Sequence, residues 1–406
     1  MTQPACTHHK TSLISGQDLV PVLDFGMHAC ADSFVGVHQL HLSEPSFPLT
    51  CGLDTLTGYL QLTNVTDDSH RYTLYDYSYT SANNIPAQRH WHELADWIMR
   101  NCNIASRPVV EVGSNDGYLL ELLQNRGVQV IGIDPSPGMI ELARARGLEC
   151  LPTMWNETSA AEVVHRKGKV AAVISNNVLN HANDPVAFAN TVKSALFRGG
   201  YWVFEVPYLL DLVQGQRFDQ IYHEHVSYFT VSSLKHLLES AGFGIVAIDR
   251  INYHGGSLRV AAQLGRPHNA VLNQMIQAER AAGLFSPDAY RAWYQQLVMR
   301  RNQWMQKFYE RINERPEVPV IGVGAAAKAN TALTWYGLDS SLIHSITDAS
   351  PLKQGKFTPL TRIPIRHDEE FANHPSATAL LLTWNLSAHL MKTVSNINSN
   401  VDFLSL

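Results

Sequence analysis

At 406 residues the chain is too long for one ordinary hydrophobic core, so two or three domains are expected. A hydrophobic fraction of 45% with 17% charged residues suits a globular protein, and a net charge of −5 argues against nucleic acid as a partner. No apolar run approaches the ~20 residues of a membrane span, the first ten residues lack a signal-peptide core, and five scattered cysteines suit a reducing compartment, so a cytoplasmic protein with no membrane contact is expected.

Residues 1–70 read as a short, turn-marked opening module. Cys6 and His9 have the spacing of half a small zinc module, but no second Cys-x-x-Cys follows, so a solvated histidine cluster is favoured and no metal site is assigned. Residues 74–81 place Tyr75, Tyr77 and Tyr79 on one face if extended; Tyr77 is a candidate substrate contact, and an amphipathic edge strand is the plainer alternative. A helix is expected over 88–101 from the spacing of Trp91, Leu94, Ile98 and Met99.

Residues 109–120, Val-Val-Glu-Val-Gly-Ser-Asn-Asp-Gly-Tyr-Leu-Leu, predict a buried parallel strand turning tightly into a helix. Glycines in such a turn permit positive φ and a close backbone approach to a ligand. The spacing Glu-x-Gly-x-x-x-Gly brings Glu111 beside Gly113 and Gly117 with no basic residue in the turn, which suits a cationic adenosine compound such as S-adenosylmethionine better than a pyrophosphate. Asn115 lies in the same turn. Asp134 ends a second strand over 127–134, where nucleotide-binding α/β folds hold ribose hydroxyls. A ligand-free strand–turn–helix is the alternative.

Residues 169–175 form another buried strand, followed by Asn176, Asn177 and His181 where cofactor and substrate should meet. Gly199-Gly200 is expected to break the chain before a strand over 201–207. The run Tyr222-His223-Glu224-His225 gathers a phenol, two imidazoles and a carboxylate. His-x-His does not put two ligands on one helix face, so acid–base chemistry is preferred over a metal, against a bland reading of mutually satisfied polar groups. A helix over 232–242, a strand over 243–248 and a turn into a last strand follow, with His254 and Arg259 as candidate ligand contacts or simple turn and edge residues. Ser286 and Pro287 start a long helix to about residue 314. Residues 318–328 repeat the strand and glycine turn, ending in Lys328, a cation suited to phosphate; Lys353 sits at a later turn.

Together Glu-Val-Gly-Ser-Asn-Asp-Gly, Asn-Asn-Val-Leu-Asn-His, Tyr-His-Glu-His-Val-Ser-Tyr-Phe, Tyr-His-Gly-Gly-Ser-Leu-Arg-Val, Gly-Val-Gly-Ala-Ala-Ala-Lys, Asp-Ala-Ser-Pro-Leu-Lys-Gln-Gly-Lys and Thr-Trp-Asn resemble the S-adenosylmethionine-dependent sugar C-methyltransferases, which act on nucleotide-linked 4-keto-deoxyhexoses. The resemblance spans essentially the whole chain. It implies an α/β protein with a small N-terminal zinc-type module (1–70), a class I methyltransferase-type Rossmann-like domain (71–265), a helical connection (266–315) and a C-terminal Rossmann-like substrate domain (316–406). The zinc ligands have eroded: Cys6 and His9 form the first pair, and Asp54 and Thr57 stand in the second, where threonine is a poor ligand, leaving structural zinc doubtful.

For the site, the resemblance implies His225 as the base that deprotonates the carbon next to a ketone, with Glu224 orienting or tuning it. Tyr222 and His181 would stabilise the enolate oxygen and Asn177 would position the reactants. Glu111, Gly113, Asn115, Gly117, Asp134 and Asn176 would hold S-adenosylmethionine. Tyr77, His254, Arg259, Lys328 and Lys353 would contact substrate. The expected partner is a small molecule, a nucleotide sugar, and the expected state a monomer or small homo-oligomer. O- or N-methylation of another metabolite, and a non-catalytic nucleotide-sugar binder, are the rival readings.

Overall fold

Four sheets organise residues 6–68, 71, 85–104 and 107–406, which the computed structural model describes. The tyrosine-rich stretch with Tyr77 lies outside these residues. In the N-terminal part, β1 (Cys6–His8) pairs with β5 (Asn64–Thr66), while β2 (Val20–His28), β3 (Phe47–Asp54) and β4 (Tyr59–Leu62) form an antiparallel meander.

The central sheet contains β6 (Val109–Val112), β7 (Val130–Asp134), β8 (Cys150–Pro152), β9 (Val170–Ile174), β10 (Leu196–Pro207), β12 (Phe243–Ile251) and β13 (Ser257–Leu264), in the order β12-β13-β10-β9-β6-β7-β8. Strands β6 to β10 run parallel, and β13 is inserted antiparallel between β10 and β12. Val-Val-Glu-Val and Val-Ala-Ala-Val-Ile are buried throughout, as strands covered on both faces must be. The strand order reverses at β6, so the carboxyl ends of β6 and β9 open on the crevice that such a reversal creates. Gly199-Gly200 is not a break. It forms an irregularity within β10, whose pairing with β9 shifts register between Leu196 and Tyr201.

The C-terminal sheet is parallel, with β14 (Val320–Val323), β15 (Ser345–Thr347), β16 (Ile365–Arg366), β17 (Ala377–Leu381) and β18 (Val401–Ser405) in the order β16-β15-β14-β17-β18. The helix Pro287–Glu314 precedes it and buries Trp293, Leu297 and Phe308. Pro287 stands at its first turn, but the Ser286 side chain makes no capping bond.

The opening module is not a self-contained unit. Its meander takes its last strand, β11 (Ser227–Tyr228), from the Tyr222–Phe229 stretch, with Ser227 opposite Gln61. One apolar core runs from Leu23 and Leu49 through Phe204 and Phe229 to Trp335. The residues aligned with zinc ligands have other work. Asp54 accepts bonds from Ser15 Oγ at 2.6 Å, Thr57 Oγ1 at 2.8 Å and the Leu56 N–H at 2.9 Å, closing the β3–β4 turn. Among the described residues, no cluster of potential metal ligands includes Cys6, His9 or Asp54.

Two imidazoles are buried where this module meets the central sheet. His28 bonds the Phe25 carbonyl at 3.1 Å and His223 the Phe47 carbonyl at 3.2 Å. Burial pushes both down from 6.5 to about 4. Neutral in the folded state and protonated when unfolded near pH 5, each favours unfolding as pH falls from 6.5 through 4, by up to about 1.4 kcal/mol per pH unit. Urea unfolding followed across this window should therefore show stability declining steadily below pH 6.5, and replacing His28 with Gln should flatten the slope.

Candidate active site

The β6 turn is built on glycines for a steric reason. Gly113 has φ +69° and a Cβ there would lie 2.5 Å from Val178 Cγ2; Gly117 has φ +77° and packs against Leu148. The turn is fixed by Asp134 at the end of β7, whose two oxygens accept the N–H groups of Asn115 and Ser136, each at 2.9 Å. Each oxygen keeps a lone pair for a further donor.

Around this turn the structure leaves polar groups unmatched. Among the described residues, Glu111 Oε2, Ser114 Oγ and both amide atoms of Asn176 are buried without a hydrogen-bond partner. Buried polar atoms are ordinarily paired, so orphans gathered at one crevice mark where a ligand's atoms complete them. Burial, then the charges of Asp116 and Asp134, raise the Glu111 carboxyl well above its ordinary range. A ligand bringing hydroxyls and a positive centre would relieve that strain. S-adenosylmethionine carries both, so the residues present fit it.

Beyond β9, Asn177 adopts φ +53° and its N–H bonds the Glu205 carbonyl at 2.8 Å, turning the chain into a short 3-10 segment that ends at His181. The His181 ring meets the His225 ring edge-on at 4.9 Å. His225 Nδ1 lies 3.0 Å from the Gln220 carbonyl, and Nε2 lies 2.7 Å from the Tyr222 hydroxyl. A carbonyl only accepts, so Nδ1 carries the proton and Nε2 offers its lone pair to Tyr222. Burial pushes His225 down to about 4, and burial with the charges of His225 and Arg71 takes His181 well below its ordinary value. Both rings are neutral near pH 7.

Three expectations need correction. Glu224 does not orient His225; its oxygens accept the N–H groups of Ala31 at 3.1 Å and Asp32 at 3.0 Å, and the Gln220 carbonyl holds the imidazole instead. Arg259 does not face a ligand. It is buried with Nε 2.6 Å from Glu205 Oε1, while the other Glu205 oxygen lies 2.8 Å from His90 Nε2, because a carboxylate inside the sheet must be neutralised. Lys353 is already engaged by protein groups: Nζ donates to the Ala325 carbonyl at 2.8 Å, lies 3.5 Å from Asp348 and stands over the Phe34 ring at 5.5 Å.

Lys328 and His254 do come together, at the seam between the central and C-terminal sheets. The Trp384 ring lies against Arg217 at 4.3 Å and Lys328 Nζ at 4.2 Å, and its indole N–H donates to Asp219 Oδ2 at 2.7 Å. Gly255 permits this approach, since a Cβ there would strike Trp384 and come within 2.6 Å of Arg217. The His254 carbonyl accepts from Gln220 Nε2 at 2.7 Å. Burial, with Arg217 nearby, lowers Lys328 to about 8. Sequence reasoning missed Arg217, Gln220 and Arg71. Arg71 donates to the carbonyls of His181 at 3.3 Å and of His223 and Glu224 at 3.5 Å, and to Asn183, joining the two segments that carry His181 and His225.

Residues 87–248 match a family model described as a methyltransferase domain, and residues 252–403 match the C-methyltransferase C-terminal domain. The C-methyltransferase NovU of Streptomyces niveus is 30% identical over 378 residues, covering 92% of this chain and 89% of that protein. A ubiquinone biosynthesis O-methyltransferase of Burkholderia thailandensis is 28% identical over 41% of this chain and 77% of its own. Among solved structures, the magnesium protoporphyrin IX methyltransferase ChlM of Synechocystis with bound SAH aligns with a TM-score of 0.36 and 18% identity, over 44% of this chain and 83% of that one. The crevice and its matches define an S-adenosylmethionine-dependent methyltransferase. More narrowly, the chain belongs to the C-methyltransferase family, as its full-length likeness to a C-methyltransferase and its C-terminal match show.

Alanine at Gly113 would carry a Cβ in the left-handed region and against Val178. Calorimetric titration with S-adenosylhomocysteine should show Gly113→Ala binding about tenfold or more weakly than the wild type.

Proposed function

We propose that this chain methylates the carbon next to the ketone of a nucleotide-linked keto-deoxy sugar, with His225 as the base. The observation that carries the reading is the tautomer-fixed His225–Tyr222 pair, whose imidazole ring meets that of His181 beyond β9. Carbon is not nucleophilic until a proton leaves it, and a C–H beside a carbonyl is acidic enough for a placed base. S-adenosylmethionine supplies an electrophilic methyl group on a sulfonium.

In the free site Nε2 of His225 is engaged by the Tyr222 hydroxyl. Substrate would turn that O–H toward its carbonyl oxygen, freeing Nε2 to take the C–H proton as negative charge moves onto the oxygen. Tyr222, with His181 beside the His225 ring, then stabilises the enolate. Glu111, Asn115, Asp134 and Asn176, on the Gly113–Gly117 turn and the end of β9, hold the methyl donor, and Asn177 positions that end of the strand. Arg217, Lys328 and the Trp384 ring offer charge and a stacking surface for a diphosphate and base, with His254 in the same seam. The residues of the domain seam, the proton acceptor and the donor crevice all have a place in this one reaction.

His225→Ala should retain S-adenosylhomocysteine binding while turnover falls about 10²–10⁴-fold. Tyr222→Phe should lose about 10²–10³-fold and still exchange solvent deuterium into the carbon next to the ketone. Wild-type enzyme offered S-adenosylmethionine and a panel of nucleotide-linked keto sugars should yield a product one methyl heavier, with the methyl on carbon by NMR. A methyl on oxygen or nitrogen, or no product from any sugar, overturns the assignment.

The base works deprotonated, and burial holds it near 4. The acid limb of kcat/KM should therefore lie near pH 4, not at the ordinary histidine value of 6.5, in a profile taken over times short enough to avoid unfolding.

A further inference from the structure

At the far end of the C-terminal sheet from Lys328, three side chains converge that no step above uses. His344 stands just before β15, with its N–H on the Val320 carbonyl where β14 begins. Glu370 lies in the 3-10 segment Asp368–Asn373, and His374 ends that segment. Both imidazole Nε2 atoms point at one carboxylate oxygen: His344 at 3.2 Å and His374 at 3.4 Å from Glu370 Oε1. The two rings stand 5.1 Å apart and perpendicular.

We propose that His344, Glu370 and His374 form a binding site for a divalent transition ion of the zinc class. The distances carry the argument. A tight, charge-assisted bond between an imidazolium and a carboxylate closes to about 2.7–2.9 Å; these two contacts are longer and weaker, at 3.2 and 3.4 Å. Ligand atoms about 2.0–2.1 Å from a tetrahedral zinc lie roughly 3.3–3.4 Å from one another, close to the 3.2 and 3.4 Å that separate the two imidazoles from Glu370 Oε1, and all three ligand atoms lie within 4.8 Å of one another. Two histidines and a carboxylate are a donor set that zinc takes.

The surroundings also suit a cation. Glu370 Oε2 is held by Asn373 Nδ2 at 3.2 Å and faces Arg366 at 3.6 Å, which leaves Oε1 turned to the imidazoles. Asn398 Nδ2 donates to the carbonyls of Phe371 and His374, fixing the backbone that presents two of the ligands. The Glu370 side chain is 9% exposed and that of His344 43% exposed, so the fourth position opens to water. The ion would tie the Asp368–His374 segment to the start of β15, opposite the end of the sheet that carries Gly324 and Lys328. Its job there is to brace the C-terminal sheet.

The test uses untagged full-length protein stripped with a chelator and titrated with zinc sulfate, with heat of binding and melting temperature as readouts. The expected result is one zinc per chain and a zinc-dependent rise in Tm. Both should be lost in His344→Ala/His374→Ala and kept in Cys6→Ser/His9→Ala. Asn373→Ala should weaken binding by about ten- to a hundredfold. No saturable binding, or binding that the double histidine variant retains, overturns the site. Should that variant fail to fold, X-ray absorption of zinc-loaded wild type decides: imidazole scattering in a nitrogen and oxygen shell supports the assignment, and a sulfur-containing or all-oxygen shell overturns it.

Discussion

The reacting geometry hangs on how Tyr222–Phe229 is held. This stretch contains Tyr222 and His225, yet it lies between helices with little regular structure of its own. It is fastened from several sides: β11 pairs with β4, His223 reaches the Phe47 carbonyl, Glu224 takes the N–H groups of Ala31 and Asp32, and Arg71 bridges its carbonyls to those of the His181 segment. The two middle residues, His223 and Glu224, thus anchor the chain, leaving Tyr222 and His225 bonded to each other. A histidine whose Nδ1 is fixed by a backbone carbonyl cannot change tautomer without moving that backbone, so the anchoring sets the chemistry.

The two parallel sheets solve one local problem in parallel ways and then diverge. Asp134 accepts N–H groups from Asn115 and Ser136; Asp348 accepts N–H groups from Ala325 and Ser350. In the first turn the acids Glu111 and Asp116 are neighbours, and Arg146 comes to Asp116 at 3.5 Å. In the second, Lys353 lies against Asp348 and the Ala325 carbonyl. Beside the first turn Glu111 Oε2 is left without a hydrogen-bond partner, whereas Lys353 closes the second.

Much of the architecture was legible because parallel strands buried on both faces leave continuous apolar runs, as in β6 and β9, and because glycines mark the turns that follow. The β6 turn was legible for the same reason: Glu111, Gly113 and Asp134 sit at fixed offsets from strands. The roles within Tyr-His-Glu-His were not fully legible. Which of four adjacent polar residues faces the crevice depends on partners as distant as Ala31 and Phe47, and a one-dimensional pattern does not carry that. Arg259 misled because a cation in a strand reads alike whether it meets a ligand or a buried acid, and its acid, Glu205, lies on another strand. Arg71 and Gln220 act through backbone carbonyls, which leave no signature in residue type.

The shared sheet has a consequence for synthesis. Tyr59 on β4 and Ser227 on β11 are bonded across 168 positions. Chains elongate at roughly 5–20 residues per second, so the β4 edge waits on the order of ten seconds or more on the ribosome before its own partner strand exists. An uncovered edge is a template for any extended segment nearby. The opening module therefore leaves the ribosome unfinished, and its completion is timed by the arrival of the stretch that carries Tyr222 and His225.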